Sequence, residues 1–167
     1  KGILGKSVDI NALVAHIDLY KTFCDLAGVK LPENVHTIDG RSILPLLEHP
    51  TVAWPDRELF VHKGRWKTDN LEQYKNKDCA VRTQQWRLVN NKELYDILAD
   101  PGETKNVISS YPEVAEKLRQ AYDKWWIETK PLMVNEGLPR VKGRHLHTLY
   151  KNQLEKQGIP TWSPDDL

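Results

Sequence analysis

The feature that most constrains the fold is a change in the spacing of apolar residues near Arg57. Before this point apolar residues recur every three or four positions, as on a helix face, and after it they alternate with polar residues, as on a strand. The alternation predicts four short strands, at residues 57–63, 79–83, 85–90 and 93–97. The last three are joined by connections too tight for a crossover, which favours antiparallel pairing. Asn90 and Asn91 suit a hairpin turn because asparagine tolerates positive φ.

Segments with helical spacing lie before and after these strands in the sequence. Residues 8–31 predict a short strand that runs into a helix, with Asp18 as its N-cap and Gly28 just past its end. A short helix through Leu47 is also predicted. The apolar face of the first helix would comprise Leu19, Tyr20, Phe23, Leu26 and Ala27.

A long helix is predicted after the turn at residues 100–103, where Pro101 fixes φ and Gly102 permits the unusual third position. Ser110 is its expected cap and Pro112 fits its first turn. The residues after Pro131 are expected to be irregular, up to one more amphipathic helix around 146–154. The predicted apolar stripe of the long helix is Val114, Leu118, Ala121, Tyr122 and Trp125, widened by Trp126 and Ile127. Together these elements indicate an α+β domain.

Charge and apolar content exclude two classes of partner. The 167 residues carry 24 Lys+Arg and 23 Asp+Glu, a net charge of +1, and the charges are interspersed. A protein that binds nucleic acid by neutralising phosphates needs a basic surface, so no nucleic-acid partner is expected. No apolar run approaches the roughly 18 residues of a membrane span, so no membrane partner is expected.

Three residue groups could have a chemical role, but for each of them a structural role is the favoured interpretation. His145 and His147 could ligate a metal on a strand, but on a helix their rings point in nearly opposite directions. Cys24 and Cys79 could be nucleophiles, but neither has a local His partner, and an unreactive buried thiol is the favoured interpretation. Trp125 with its neighbour Trp126 could form a binding platform, but their position in the apolar stripe favours a core role.

The most informative polar cluster ends the first predicted strand. His62, Arg65 and Trp66 stand there together, and such a group can bind an anionic sugar. Arginine would bind a sulfate or carboxylate with two hydrogen bonds while the indole stacks on a sugar face. A half-buried tryptophan beside a solvated arginine is the structural alternative. We take His62, Arg65 and Trp66 as the candidate substrate-binding residues.

Several segments together resemble the C-terminal part of a formylglycine-dependent sulfatase of the arylsulfatase type, in the alkaline phosphatase superfamily. The resemblance covers roughly residues 8–130, and Lys21 stands where the family usually has proline. The order of the segments makes it more specific than any one of them. They are HIDLYKTFCDLAGV at 16–29, DGRSILPLL at 39–47, the strand segments at 79–83, 86–89 and 93–97, and DPGETKN at 100–106.

The resemblance implies a fold and a domain division. A small four-stranded antiparallel sheet would pack with a long C-terminal helix, preceded by a strand-helix remnant of the α/β catalytic domain. Residues 1–50 would be the tail end of that catalytic domain and residues 51–167 the sulfatase C-terminal subdomain. The catalytic domain of the same polypeptide is the implied partner, with His62 to Trp66 contacting the leaving group of a sulfated carbohydrate.

The reacting groups of such an enzyme are missing from this sequence. The family oxidises a Cys or Ser in a Cys/Ser-x-Pro-x-Arg motif to formylglycine, and neither Cys24 nor Cys79 has that context. The resemblance therefore implies calcium and formylglycine in an N-terminal part, with no catalytic residue, metal site or cofactor in this chain. We expect a truncated, inactive piece of a sulfatase that is periplasmic or secreted.

Two other functions stay open. The chain could be an autonomous non-catalytic module that binds carbohydrate or protein, or part of a phosphate or phosphonate ester hydrolase of the same superfamily. Truncation predicts an exposed apolar patch around the first helix, which self-association of the fragment would cover.

Overall fold

The computed structural model describes residues 8–31, 38–64, 71–133 and 145–159. They belong to two compact units, residues 1–133 and 134–167. The first contains helices α1 (Asp18–Leu26), α2 (Leu44–Glu48) and α3 (Pro112–Met133), and a short 3-10 helix at Leu71–Tyr74. The second contains helix α4 (His145–Gln157).

A four-stranded antiparallel sheet forms the centre of the first unit. Strands β1 (Leu59–His62), β2 (Cys79–Arg82), β3 (Trp86–Val89) and β4 (Glu93–Asp96) lie in the order β1-β2-β3-β4. Each pairs with the next in antiparallel register. The predicted α+β class and antiparallel sheet are confirmed, with strands a few residues shorter at their ends.

The β3–β4 hairpin has the predicted turn. Asn90 and Asn91 have φ values of 51° and 58°. Lys92 N–H donates to Val89 O at 2.9 Å, which closes a four-residue turn with positive φ at both central positions. That is the type I′ geometry that matches the twist of the flanking strands.

The core lies between the sheet and α3. Val81, Leu88 and Leu94 from the strands are at most 1% exposed. From α3 the buried side chains are Ala115, Leu118, Tyr122 and Trp126. The Phe60 ring of β1 stacks on Trp125, with centroids 5.2 Å apart. Burial of Trp126 confirms its predicted core role, whereas Trp125 is half-buried.

Helix α1 departs from its prediction in two ways. Asp18 is the first helical residue and caps no backbone N–H at the helix start, because its carboxylate accepts hydrogen bonds from elsewhere. No strand occurs among the described residues before it, 8–17. The predicted ending is confirmed: Gly28 has φ 65°, and the N–H groups of Gly28 and Val29 donate to Asp25 O and Cys24 O, a Schellman motif.

Three details of the later chain also differ. Helix α3 begins at Pro112, so Ser110 lies one position too early to be its N-cap, and Ile127 is 70% exposed rather than part of the stripe. In the turn at 100–103 positive φ falls on Glu103 rather than Gly102. The predicted irregular segment after Pro131 lies largely outside the described residues.

Candidate functional site

His62 ends strand β1 and turns its ring toward α3. Its Nδ1 accepts a hydrogen bond from Gly64 N–H at 3.2 Å, and its Nε2 lies 2.9 Å from Tyr74 O. A proton on Nε2 satisfies both contacts. The ring also lies 5.4 Å from the Trp126 ring. His62 thus fixes the start of the segment that follows β1, while Arg65 and Trp66 lie outside the described residues.

The most connected buried group is Asp18, which sequence reasoning assigned only to a helix cap. Its side chain is fully buried, and Arg57 binds it with two hydrogen bonds, from Nη1 to Oδ1 at 2.8 Å and from Nη2 to Oδ2. The backbone N–H groups of Ala15 and Arg41 donate to the same carboxylate at 2.7 and 3.0 Å. Four donors therefore surround one buried charge.

The pKa of Asp18 reflects two opposing effects. Burial raises the pKa, because a charge is costly away from water. The hydrogen bonds from Arg57, Ala15 N–H and Arg41 N–H outweigh burial and hold the pKa below its ordinary value. The carboxylate is consequently ionised, and it is a structural anchor rather than a proton donor.

Thr22 and Gly40 complete the junction between α1 and the segment before α2. Thr22 Oγ1 donates to Asp18 O at 2.7 Å and accepts from Ile43 N–H at 3.0 Å. A Cβ on Gly40 would lie 2.0 Å from Ile17 O, so only glycine fits this close approach. The two segments at 16–29 and 39–47 are thus locked to each other and, through Arg57, to the start of β1.

The outer face of α1 is apolar and exposed. Its side chains Leu19, Tyr20, Phe23 and Leu26 are between 43% and 61% exposed, whereas the polar Asp18 and Thr22 are buried. The predicted exposed apolar patch around the first helix is confirmed. A contiguous patch of this kind marks an interaction surface.

The other candidate residues show no assembled chemical centre within the described ranges. Cys24 and Cys79 are free thiols, and burial raises the pKa of Cys79, which disfavours the reactive thiolate. His145 and His147 lie on helix α4. In the part of the chain that the structure describes, no group of three or more His, Cys, Asp or Glu side chains could hold a metal ion. The described residues therefore do not provide a set of ligands for calcium, whose site the resemblance places in an N-terminal part of the enzyme.

Comparison with known proteins decides the family. A model of the C-terminal region of N-sulphoglucosamine sulphohydrolase matches residues 2–126, which include α1, α2, all four strands and most of α3. The chain belongs to this sulfatase family. Arylsulfatase K of Rattus norvegicus is 28% identical over 123 residues, which cover 68% of this chain and 21% of the relative. A sulfatase of Formosa agariphila is 31% identical over 139 residues, covering 75% and 25%.

Among solved structures, BT4656 in complex with its substrate D-glucosamine-2-N,6-O-disulfate is similar at 25% identity and a TM-score of 0.46. The match covers 68% of this chain and 24% of that one. The chain spans about a fifth to a quarter of the length of these three relatives. No helix among the described residues is both long and apolar enough to cross a membrane.

Proposed function

We propose that this chain is the C-terminal part of a sulfatase that hydrolyses the sulfate groups of a sulfated carbohydrate. The observation that carries the proposal is the family match over residues 2–126, whose description names an enzyme of sulfated glucosamine. In such an enzyme calcium would polarise the sulfate group, whose sulfur is the electrophile, and formylglycine would supply the nucleophile; both would lie on the catalytic part. This chain would be inactive without that part.

The exposed face of α1 supports a second element of the proposal, a contact with the catalytic part of the same polypeptide. Leu19, Tyr20, Phe23 and Leu26 expose apolar surface that a folded partner would bury. Asp18 and Thr22 hold the opposite face of the helix rigidly against the segment before α2. The face is therefore presented in one orientation, which a specific interface requires.

We further propose that His62, Arg65 and Trp66 contact the substrate. His62 anchors the backbone at the end of β1 through Gly64 and Tyr74, and Arg65 and Trp66 follow this anchored position in the sequence. Arg65 would bind a sulfate or carboxylate, and Trp66 would stack on a sugar ring. The place of these residues in the sequence, at the end of β1 and shortly after it, and their residue types support this assignment.

The test of the activity uses the full-length polypeptide that contains this sequence, with the 167-residue chain alone as control. Sulfate and phosphate released from sulfated and phosphorylated glucosamine oligosaccharides are measured by ion chromatography. We expect sulfate release by the full-length protein and none by the chain alone. Release of phosphate in preference to sulfate would favour a phosphate ester hydrolase. Tight sugar binding by the chain with no hydrolysis by the full-length protein would favour a binding module.

The test of the substrate contact uses Arg65→Ala in the full-length enzyme, with Arg119→Ala as the matched control on α3. Loss of a charged, bidentate hydrogen bond should raise KM for the sulfated sugar about 10-fold or more, whereas the control should leave it unchanged. Equal effects of the two variants would refute the contact.

The location is proposed as periplasmic or secreted. An extracellular sulfatase SULF-1 homolog of Drosophila melanogaster is 34% identical over 102 residues, covering 59% of this chain and 9% of that protein. Fractionation of the source cells, followed by detection of the full-length protein, tests this proposal. Recovery in the cytosolic fraction would refute it.

A further inference from the structure

A groove of about 690 Å³ lies beside strand β1. Residues 57–61 line it, together with residues 15–17 on one side and Ala121, Trp125 and Glu128 of α3 on the other. No residue of β2 lines it, so the groove lies along the edge of β1 that faces away from the sheet. Its volume is in the range of ligand-binding clefts.

The register of the sheet determines which backbone groups face this groove. Lys63 N–H donates to Asp78 O at 3.1 Å, and this pair continues the β1–β2 register. In an antiparallel ladder hydrogen-bonded pairs alternate with pairs that are not bonded, so Leu59 and Val61 also turn their backbone groups toward β2. Phe60 therefore turns its N–H and C=O away from β2 and toward the groove.

The opposite edge of the sheet is covered. On β4, Leu94 N–H donates to Asn106 Oδ1 at 3.0 Å, and Leu94 O accepts from Val107 N–H at 2.8 Å. The residues after β4 thus satisfy that edge. Among the described residues, the edge of β1 instead has no neighbouring strand and lines a groove, and such a sheet edge is a template for an added strand.

The lining of the groove specifies the chemistry of an occupant. Ile17, Phe60 and Trp125 give an apolar surface, with Phe60 and Trp125 stacked on each other. The lining also includes three carboxylates, Asp39, Glu58 and Glu128, and the ammonium of Lys124, which give this rim of charged groups a net charge of −2.

The charge of Arg57 is balanced by its hydrogen bonds to Asp18, so it does not offset this rim. A negative rim disfavours an anionic sulfated sugar, whereas it attracts lysine or arginine side chains.

We propose that the outer edge of β1 binds an extended polypeptide strand in which apolar residues are interspersed with lysine or arginine. A strand of about four residues, roughly 13 Å long at 3.3 Å per residue, would pair along residues 58–61, which line the groove. Backbone hydrogen bonds to Phe60 would fix the strand, apolar side chains would contact Phe60 and Trp125, and basic side chains would contact Glu58 and Glu128. This proposal does not depend on the proposed sulfatase activity.

The test measures binding of a blocked hexapeptide of alternating lysine and valine to the 167-residue chain. Isothermal titration calorimetry gives the affinity, and amide NMR shifts show whether Phe60 and Trp125 respond. The first control is the same peptide with alternate backbone amides N-methylated, which should bind at least about 10-fold more weakly because edge hydrogen bonds are lost. The second control replaces lysine by glutamate and should also bind more weakly.

Protein variants test whether the peptide binds in the groove or is attracted only by the overall charge of the protein. Glu58→Lys combined with Glu128→Lys should weaken the lysine-valine peptide about fivefold. Glu48→Lys combined with Glu113→Lys makes the same charge change on exposed residues outside the groove and should have little effect.

Four results would overturn the proposal. They are absence of binding at millimolar peptide, equal binding of the N-methylated peptide, preferential binding of a neutral or sulfated oligosaccharide at Phe60 and Trp125, and a dimer that buries β1 and excludes the peptide.

Discussion

Replacing Asp18 by asparagine tests the structural role of the buried carboxylate most directly. Asparagine has nearly the same shape, so the substitution removes the charge and one acceptor oxygen while leaving the volume of the site nearly unchanged. Arg57, whose side chain is only 13% exposed, would lose the anion that balances it. One of the backbone donors, Ala15 N–H or Arg41 N–H, would also face an amide NH₂ instead of an acceptor.

The expected cost follows from the burial of both partners. Removing one member of a buried ion pair leaves an uncompensated charge, which costs about 3–5 kcal/mol in other proteins. Asp18 is fully buried and Arg57 nearly so, and the cost for this pair should therefore lie in that range. Domain stabilities are about 5–15 kcal/mol, so Asp18→Asn should remove a large share of the free energy of unfolding.

The assay is urea denaturation followed by circular dichroism, and Asp25→Asn provides the matched control. Asp25 lies on the same helix and pairs with Lys21 at 3.7 Å, but both side chains are more than a third exposed. The control should therefore cost less than about 0.5 kcal/mol. A cost below about 1 kcal/mol for Asp18→Asn, or equal costs for the two variants, would refute the role assigned to Asp18.

The same pair predicts how stability depends on pH. The pKa of Asp18 is lowered in the folded protein, so the unfolded chain takes up a proton first as the pH falls. The stabilisation from Asp18 is present above its unfolded pKa of about 3.9 and is lost as the pH falls through the folded pKa. Wild-type stability should fall more steeply than that of Asp18→Asn in this acid range. Parallel curves would contradict the assignment.

Three further predictions use the same unfolding assay. Gly40→Ala should cost about 2 kcal/mol or more because its Cβ would overlap backbone, whereas Gly102→Ala, with its nearest atom 3.5 Å away, should change stability by less than about 1 kcal/mol. Leu94→Ala should cost about 2–5 kcal/mol, and the exposed Leu98→Ala less than about 0.5 kcal/mol. Phe23→Ser should leave the stability of this chain nearly unchanged but reduce its self-association in analytical ultracentrifugation. A loss of stability comparable to that of Leu94→Ala would show that this ring is a core residue.

The sheet could be predicted because its signals are local. Alternating apolar residues mark each strand, and the two asparagines at 90–91 have the positive φ that a tight hairpin turn needs. The long helix was predicted for the same reason, since its apolar spacing is strong. The predicted stripe begins at Val114, whereas the buried residue is its neighbour Ala115, because adjacent positions on a helix differ by only about 100°.

The apolar face of α1 shows a property that a sequence pattern does not predict. Apolar residues at helical spacing predict a buried face, but the pattern does not say whether the covering surface is inside the same chain. Leu19, Phe23 and Leu26 fit the pattern and are exposed, so the pattern identifies the apolar face but does not determine what covers it. The signal for Asp18 was equally ambiguous. A carboxylate at a helix start is a common cap, and Arg57, 39 residues later, is a partner that only the fold brings near.

The segments that carry the family resemblance turn out to hold the scaffold together. Asp18 and Thr22 join the first two segments, and Asn106 in the last one satisfies the edge of β4 at Leu94. Asp100 accepts hydrogen bonds from the backbone N–H groups of Thr104 and Lys105 and fixes the turn between β4 and α3. Matching these segments therefore identifies the fold, because their side chains bind the protein's own backbone. The substrate contact that we propose for this chain therefore depends on Arg65 and Trp66, which follow His62 in the sequence, and the Arg65→Ala test decides it.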